Sequence, residues 1–461
     1  MPQPGASKYL VLNGADKPRR QRNLPSGSSA ATSTTPLASS TARLLALLAR
    51  LFAPLRASSD FTASLQTLKG LLYDKDYLRA FGTDSDEGER WREVYASRWV
   101  PARAVVYERV WDECGIVEAL GWSGDKAARE KTAQEEEEAE LARERETARR
   151  RREARAAGKS KDEIDALVAA FEALETERRA KEEEEKQKTE EKKDKQPEEV
   201  DVLMLGAGAG SEVLALGCAL GTAAEEASEE EQDEASRRPR VKIRAVDQGA
   251  WGQLLGKMAD GLREEWSALS QATAGEGGGT GEGGLEVEFL QGDMLAALSS
   301  SAVAPSSSSS TSPSSAPTPT SRDFLPLPST RLITLCYTAS ELLLQSRPSF
   351  LRLLSSLSRH SSPGTLFLIV ESASLALIPL KSADGTVKEY PLGVLLDHAL
   401  CGAGNKDGGG KDGPWEKLRG EEGKWYRMPD GAEDAYNPVG TRGERVKLEN
   451  SRVVLRLYRR R

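Results

Sequence analysis

Apolar positions along this chain come in blocks, and the blocks differ in rhythm. Near the start, Leu44, Leu45, Leu48, Leu51, Phe52 and Leu55 in "ARLLALLARLFAPL" follow a helical period and predict a core helix. From Asp60 to Leu120 the aromatics Tyr73, Tyr77, Phe81, Trp91, Tyr95, Trp99, Tyr107 and Trp111 recur, several one helical turn apart, with Arg79, Arg92, Arg98, Arg103 and Arg109 interleaved. This predicts a helical module whose aromatics form its own core, with arginines at the edge that snorkel or reach toward RNA. Beyond Val200 the rhythm changes. Short, nearly continuous apolar runs, the mark of strands buried on both faces, alternate with longer amphipathic ones. Strand "VDVLML" leads to helix "SEVLALGCAL", and strand "VKIRAVD" to helix "WGQLLGKMADGLREEWSAL". Strand "LEVEFLQGD" is followed by strand "RLITLCY" and helix "ASELLLQSRPSFLRLLSSLSR", which Pro348 should kink or divide. Strand "TLFLIVES" precedes helix "PLGVLLDHAL", and "KWYRMP" and "SRVVLRLYRR" read as closing strands. Alternating β and α elements predict a parallel sheet with helices on both faces.

Composition sets the domain count. Of the 461 residues 38% are hydrophobic and 30% charged, too little apolar material for three cores. Residues 1–40 read as a disordered basic tail, 41–122 as the helical N-terminal module, 123–199 as a charged helical or disordered linker, and 200–461 as the catalytic domain. Low-complexity inserts near 222–238, 272–284, 299–321 and 402–413 fall between its elements, where a core tolerates them. The net charge of −8 would ordinarily argue against nucleic acid, but much of the acid sits between Gln134 and Glu199 and says little about any one face. Cys114, Cys218, Cys336 and Cys401 are scattered, which suggests a reducing compartment and neither a disulfide framework nor a metal pair. The tail segment "KPRRQR" suggests a nuclear or nucleolar address, with the cytoplasm an additional location and a mitochondrial transit peptide less favoured. No apolar stretch reaches the roughly 18 residues that span a bilayer.

Candidate chemistry lies at the predicted strand ends. "VDVLMLGAGAG" runs a buried strand into Gly206, Ala207, Gly208 and Gly210, a tight turn beside a nucleotide. A dinucleotide site prefers G-x-G-x-x-G, and here Ser211 holds the last place, which makes an NAD-dependent oxidoreductase a minor alternative. Asp247 closes the second strand, where a carboxylate suits two ribose hydroxyls. Asp293 closes the third, where an acid suits an adenine amine, with Met294 packing nearby. A site for adenosine without phosphate favours S-adenosylmethionine. The fourth strand end reads "LCYTASELL" without a Pro-Pro turn, which counts against exocyclic amines as substrates. Cys336 reads as a buried strand residue. Tyr337 either stacks on a base or caps the pocket, and Glu341 is either a solvent-facing helix acid or a base near the substrate; these two are the weak catalytic candidates. His360 is expected at a helix C-terminus and His398 packed in a helix.

The segments "LLYDKDYLRAFG", "YASRWVPARAVVYERVW", "VDVLMLGAGAGSE", "LITLCYTASELL", "YPLGVLLDHAL" and "LENSRVVLRLYRR" make the chain resemble the fungal 25S ribosomal RNA (uridine-N3)-methyltransferases over about Phe61–Trp111 and, with gaps at the inserts, Val200–Arg461. The glycine motif is widely shared, whereas "RWVPARAVVYE" and "LENSRVVLRLYRR" are distinctive. The resemblance implies a Rossmann-like, seven-stranded class I methyltransferase sheet with a final antiparallel pair. It also implies S-adenosylmethionine as cofactor, no metal, and large-subunit rRNA or a pre-ribosome as partner of a monomeric, membrane-free enzyme. The long inserts depart from that pattern. The alternatives are a methyltransferase of the same fold acting on a protein or small molecule, and a non-catalytic ribosome-assembly factor.

Overall fold

Strand β1 (Glu199–Leu205) carries six consecutive buried residues after an exposed Glu199, as a strand covered on both faces must. In the computed structural model it pairs in parallel with β2 (Arg240–Asp247) on one side and β4 (Thr330–Cys336) on the other. With β3 (Leu285–Gln291), β5 (Leu366–Ser372), β8 (Trp415–Tyr426) and β9 (Ser451–Arg460) these form a seven-stranded sheet of order β3-β2-β1-β4-β5-β9-β8. Only β9 runs antiparallel to its neighbours, β5 and β8. The strand order reverses between β1 and β4, the point where open α/β sheets bind ligands beyond their carboxyl ends. The structure describes residues 36–82, 86–122, 199–227, 238–270, 284–297, 324–381, 385–402, 413–440 and 443–461, with a few positions between 149 and 161. The basic tail to residue 35, nearly all of the charged linker and most of each low-complexity insert lie outside them.

Successive residues of each strand feed opposite cores. Val202 and Met204 face the core that includes helix α6 (Ser211–Glu226) and helix α7 (Gly252–Glu265). Leu203 and Leu205 face the other, built by α9 (Ala339–Gln345), α10 (Arg347–His360) and α11 (Leu392–Cys401). The expected division at Pro348 is present: the helix breaks at Ser346, whose side chain accepts the Ser349 N–H and starts α10 with Pro348 in its first turn. A four-residue helix, α8 (Met294–Ala297), follows β3.

The N-terminal helices α1 (Ser39–Arg56), α2 (Phe61–Tyr73), α3 (Tyr77–Phe81), α4 (Asp86–Glu113) and α5 (Ile116–Ala119) share the first of these cores. Pro36–Arg461 accordingly behave as one compact unit. Leu44, Leu45, Leu48 and Phe52 of α1 are buried as the periodicity predicted. The buried Arg56 guanidinium donates to the Tyr436 carbonyl at 3.0 Å and to Asn437 Oδ1, tying α1 to α12 (Ala432–Tyr436). Trp122 Nε1 donates to the Leu220 carbonyl on α6 at 2.8 Å.

Three features depart from the sequence expectation. The penultimate strand is Trp415–Tyr426, longer than "KWYRMP" and earlier in the chain. It is the sheet edge, laced with Lys, Arg and Glu and interrupted by two register shifts, so charges that blunt an edge hid its alternation. A separate antiparallel hairpin, β6 (Leu377–Lys381) with β7 (Val387–Pro391), has no counterpart in the expected order, because every residue of β7 is exposed and no apolar period marks it. Helix α6 continues through Glu226, into the stretch read as an acidic insert. Among the described residues, no helix is long and apolar enough to cross a membrane.

Candidate functional site

The turn after β1 is pinned to β2 by Gly206 and Ala207 N–H groups donating to the Val246 carbonyl at 2.8 and 3.3 Å. Gly206 and Gly210 adopt left-handed backbone, at φ +74° and +78°, which a side chain disfavours. Gly208 is needed for a different reason. A Cβ there would lie 2.2 Å from Trp251 Nε1 and 2.6 Å from Asp247 Cγ, so only a bare backbone fits between the turn and the end of β2.

Asp247 is the hub of this end. Its Oδ2 accepts the Gly208 N–H at 3.1 Å, while Oδ1 accepts the Gly249 N–H at 2.8 Å and Trp251 Nε1–H at 3.1 Å. Burial raises its pKa, and the three donors oppose that rise. Gly292 N–H donates to the Asp247 carbonyl at 2.8 Å, bringing the end of β3 alongside. Asp293 Oδ1 there accepts the Leu295 and Ala296 N–H groups at 2.8 and 3.0 Å and starts α8. Met294 is buried in the second core. Gly206, Ala207, Gly208, Gly210, Asp247 and Asp293 therefore gather at one carboxyl edge of the sheet.

Across the turn lies the end of β4. A Cβ on Gly206 would fall 2.4 Å from Thr338 Oγ1. Tyr337 has φ +55°, rare for an aromatic residue, and its N–H donates to the Val370 carbonyl at 2.7 Å. Strain of this kind is kept where the surroundings over-determine it. Its ring meets Tyr107 edge to face at 6.2 Å, and the Arg103 guanidinium sits 4.8 Å above it. Burial keeps the Tyr337 phenol protonated beyond its usual range. Glu341 is exposed, and its Oε1 accepts the Tyr77 hydroxyl at 2.8 Å, linking α9 to α3. Phe81 at the end of α3 packs on Trp251 with ring centroids 4.9 Å apart, and its carbonyl accepts the Ala250 N–H at 2.8 Å. The N-terminal helices thus roof the β2 end.

Sequence reasoning placed no role on Glu212 or Trp251, and read Arg103 only as one of the edge arginines that snorkel or reach toward RNA. Glu212 is the second residue of α6 and is 4% exposed, although the sequence marks it only as one polar residue opening a helix. Burial lifts its pKa to about 8, against the opposing pull of Arg103 and the Cys336 thiol. Cys336 itself is buried, and burial together with Glu212 pushes its thiol well above the ordinary range, which suits packing and not nucleophilic attack. All four cysteines are free thiols. Of the interleaved arginines, Arg92 donates to the Phe81 carbonyl, Arg98 to the Lys447 carbonyl and Arg109 to the Arg427 carbonyl. Those three are engaged within the protein; Arg79 is exposed. His360 ends α10 as expected, its Nδ1 2.8 Å from the Ser356 carbonyl. His398 is exposed on α11, not packed, because it falls on the polar face between the buried Leu396 and Leu400. Among the described residues, no group of three or more His, Cys, Asp and Glu is arranged to hold a metal ion.

A sheet that reverses order beside a glycine turn, with acids at the next two strand ends, is built for an adenosine-bearing ligand. The family model for SAM-dependent methyltransferases matches residues 48–459, and the chain belongs to that family. It is similar to the 25S rRNA (uridine(2843)-N(3))-methyltransferase of Saccharomyces cerevisiae, 26% identical over 266 residues that cover 56% of this chain. The chain spans 60% of the length of that curated relative. Solved structures with partial likeness include a SAM-dependent methyltransferase from Methanosarcina mazei (TM-score 0.28, 11% identity, 57% of this chain and 93% of that one). TehB from Haemophilus influenzae is another (TM-score 0.25, 12% identity, 57% and 58%). The residues fit S-adenosylmethionine: the left-handed Gly206 and Gly210 keep the turn's backbone bare, and Asp247 offers a half-buried carboxylate at the end of the next strand.

Proposed function

We propose that this protein methylates N3 of a uridine in large-subunit rRNA, with S-adenosylmethionine as donor. The observation that carries this reading is the likeness to the yeast enzyme, 26% identical over 266 residues. The assembled edge of Gly206–Gly210, Asp247 and Asp293 supports the cofactor half of the reading. Gly206, Ala207, Gly208 and Gly210 would lie under the ribose, Asp247 would take its hydroxyls, and Asp293 and Met294 would flank the adenine.

When bound, S-adenosylmethionine supplies an electrophilic methyl group on a sulfonium. The protein's task is to hold the base edge in line with it and exclude water, which is worth on the order of 7–11 kcal/mol. Uridine N3 lies on the Watson–Crick edge, so the base must be unpaired or flipped to enter. N3 gains the methyl group and loses its proton. Tyr337 cannot take that proton near neutral pH, because burial holds its own; it can stack on the base or donate a hydrogen bond. Glu341 lies close enough to Asp247 and Glu371 to raise their pKa values, and its Oε1 accepts the Tyr77 hydroxyl.

The reading includes a role in ribosome biogenesis, a monomeric state, and action in the nucleus or nucleolus where rRNA is made. Incubation of the purified protein with radiolabelled S-adenosylmethionine and unmodified large-subunit rRNA should yield labelled N3-methyluridine. Label confined to protein, or to another base position, would sink it.

A further inference from the structure

Adenosine accounts for only one end of S-adenosylmethionine; the other is an α-amino acid carrying an ammonium and a carboxylate. If Asp247 at the β2 end takes the ribose, strand order β2-β1-β4 sends the amino-acid end across the glycine turn toward β4. A carboxyl group and a guanidinium lie on that side. Glu212 is buried, and its Oε1 has no hydrogen-bond partner among the described residues. Arg103, partly buried, reaches in from α4; its Nη1 donates to the Tyr95 hydroxyl at 2.7 Å, and its plane lies over Tyr95 and Tyr337 at 5.6 and 4.8 Å. A buried carboxylate with a free oxygen costs stability unless a ligand completes it. A guanidinium held between rings is oriented with its remaining N–H groups free of side-chain entropy cost.

We propose that Arg103 and Glu212 clamp the amino-acid end of S-adenosylmethionine, the guanidinium receiving its carboxylate and Glu212 its ammonium. This rests on the reading of Asp247 and the glycine turn as the adenosine end. It gives the N-terminal helices a direct part in cofactor recognition, since Arg103 comes from α4. The groups facing Glu212 are Arg103 and Tyr107 from α4, Cys336 from β4 and Asp247 from β2. With its pKa lifted to about 8, Glu212 is mostly protonated at neutral pH in the free protein. An arriving ammonium should therefore release a proton, and affinity should rise with pH up to about 8.

The test is calorimetry on the full chain with two probes: S-adenosylhomocysteine, and 5′-methylthioadenosine, which keeps adenosine and thioether but lacks the amino-acid end. Arg103→Met should weaken S-adenosylhomocysteine roughly 100-fold and leave methylthioadenosine within about twofold, since a lost charge-assisted pair costs about 1.5–3 kcal/mol. Arg103→Lys should recover part of the loss. Glu212→Gln should weaken S-adenosylhomocysteine about tenfold and abolish the proton release seen between buffers of different ionisation enthalpy. Unchanged S-adenosylhomocysteine affinity in both variants overturns the clamp, and so does parallel loss of both probes, which would mark Arg103 as packing between two tyrosines. If the unaltered protein fails to bind methylthioadenosine while Asp247→Ala leaves S-adenosylhomocysteine binding intact, the adenosine placement itself is wrong and the clamp goes with it.

Discussion

Two arginines of this protein, one buried and one partly buried, sit in contrasting company. Arg456 on β9 is 3% exposed and fully provided for. Its Nε donates to Asp397 Oδ1 at 3.1 Å, Nη1 to the Glu421 and Leu455 carbonyls at 3.3 and 3.0 Å, and Nη2 to Glu422. Asp397 in turn receives Lys417 and the Tyr458 hydroxyl. These bonds join α11 to β8 and β9, so the chemistry of the cluster is spent on architecture. The cluster around Arg103 has one tyrosine hydroxyl, two ring faces and a carboxylate oxygen without a partner. Glu371, only a strand away, shows what saturation looks like there: Oε2 accepts the Ser340 N–H at 2.9 Å and Oε1 the Ser372 N–H at 2.8 Å. Between these two clusters, saturation goes with architecture, and the unpartnered Glu212 oxygen is the place left for a ligand.

The contrast can be broken most forcefully at Arg456. Arg456→Met removes the guanidinium that ties Asp397, Glu422 and two carbonyls together and should cost about 3 kcal/mol in chemical denaturation while cofactor affinity stays unchanged. A variant that lost cofactor and not stability would reverse the assignment of the two clusters. Next in size is Asp247→Ala, which should weaken S-adenosylhomocysteine binding by roughly 1.5–3 kcal/mol in calorimetry and also lower the melting temperature, because the Gly208, Gly249 and Trp251 N–H groups lose their acceptor. Glu113 offers a smaller, pH-tuned effect. Burial alone would raise its pKa, but hydrogen bonds from Lys424 and Tyr426 and the charges of Lys424 and Arg419 hold it below the usual carboxylate range. A depressed acid stabilises the fold above its unfolded pKa and loses that contribution as pH falls through the folded value. Glu113→Gln should thus lower stability by about 1 kcal/mol at neutral pH, with the difference from the unaltered protein shrinking below about pH 4 in melting experiments. Smallest is Tyr77→Phe, which removes the exposed bond to Glu341; stability should shift by under about 0.5 kcal/mol, and faster cofactor release in stopped-flow is the expected signature. Unchanged release would show that α3 does not gate the site.

How much of this was legible beforehand depended on whether a residue's environment was local. Strands β1, β2, β4, β5 and β9 announced themselves because both faces are largely buried, and their apolar runs stay dense despite single polar positions such as Asp201, Arg244 and Arg456. Gly206–Gly210, Asp247 and Asp293 were legible because a strand end and the turn that follows are adjacent in sequence. β8 and the β6–β7 hairpin were not, since an edge strand and an exposed ribbon carry charge where a period-2 signal would be. Arg103 and Glu212 escaped for another reason: their partnership spans α4 and α6, and only the packing of one helix along the other brings them together. The aromatic spacing between Trp91 and Trp111 correctly marked a core, yet that core proved to be shared with the sheet.

Arg56 illustrates what that shared core means for a chain still being made. Its partners Tyr436 and Asn437 lie 380 and 381 residues further on. At about 5–20 residues per second, translation delivers them on the order of 20–80 seconds after α1 has left the ribosome. Through that interval the leucine stripe of α1 has no C-terminal cover, which makes the first described helix among the last to reach its finished surroundings and a natural client for a chaperone.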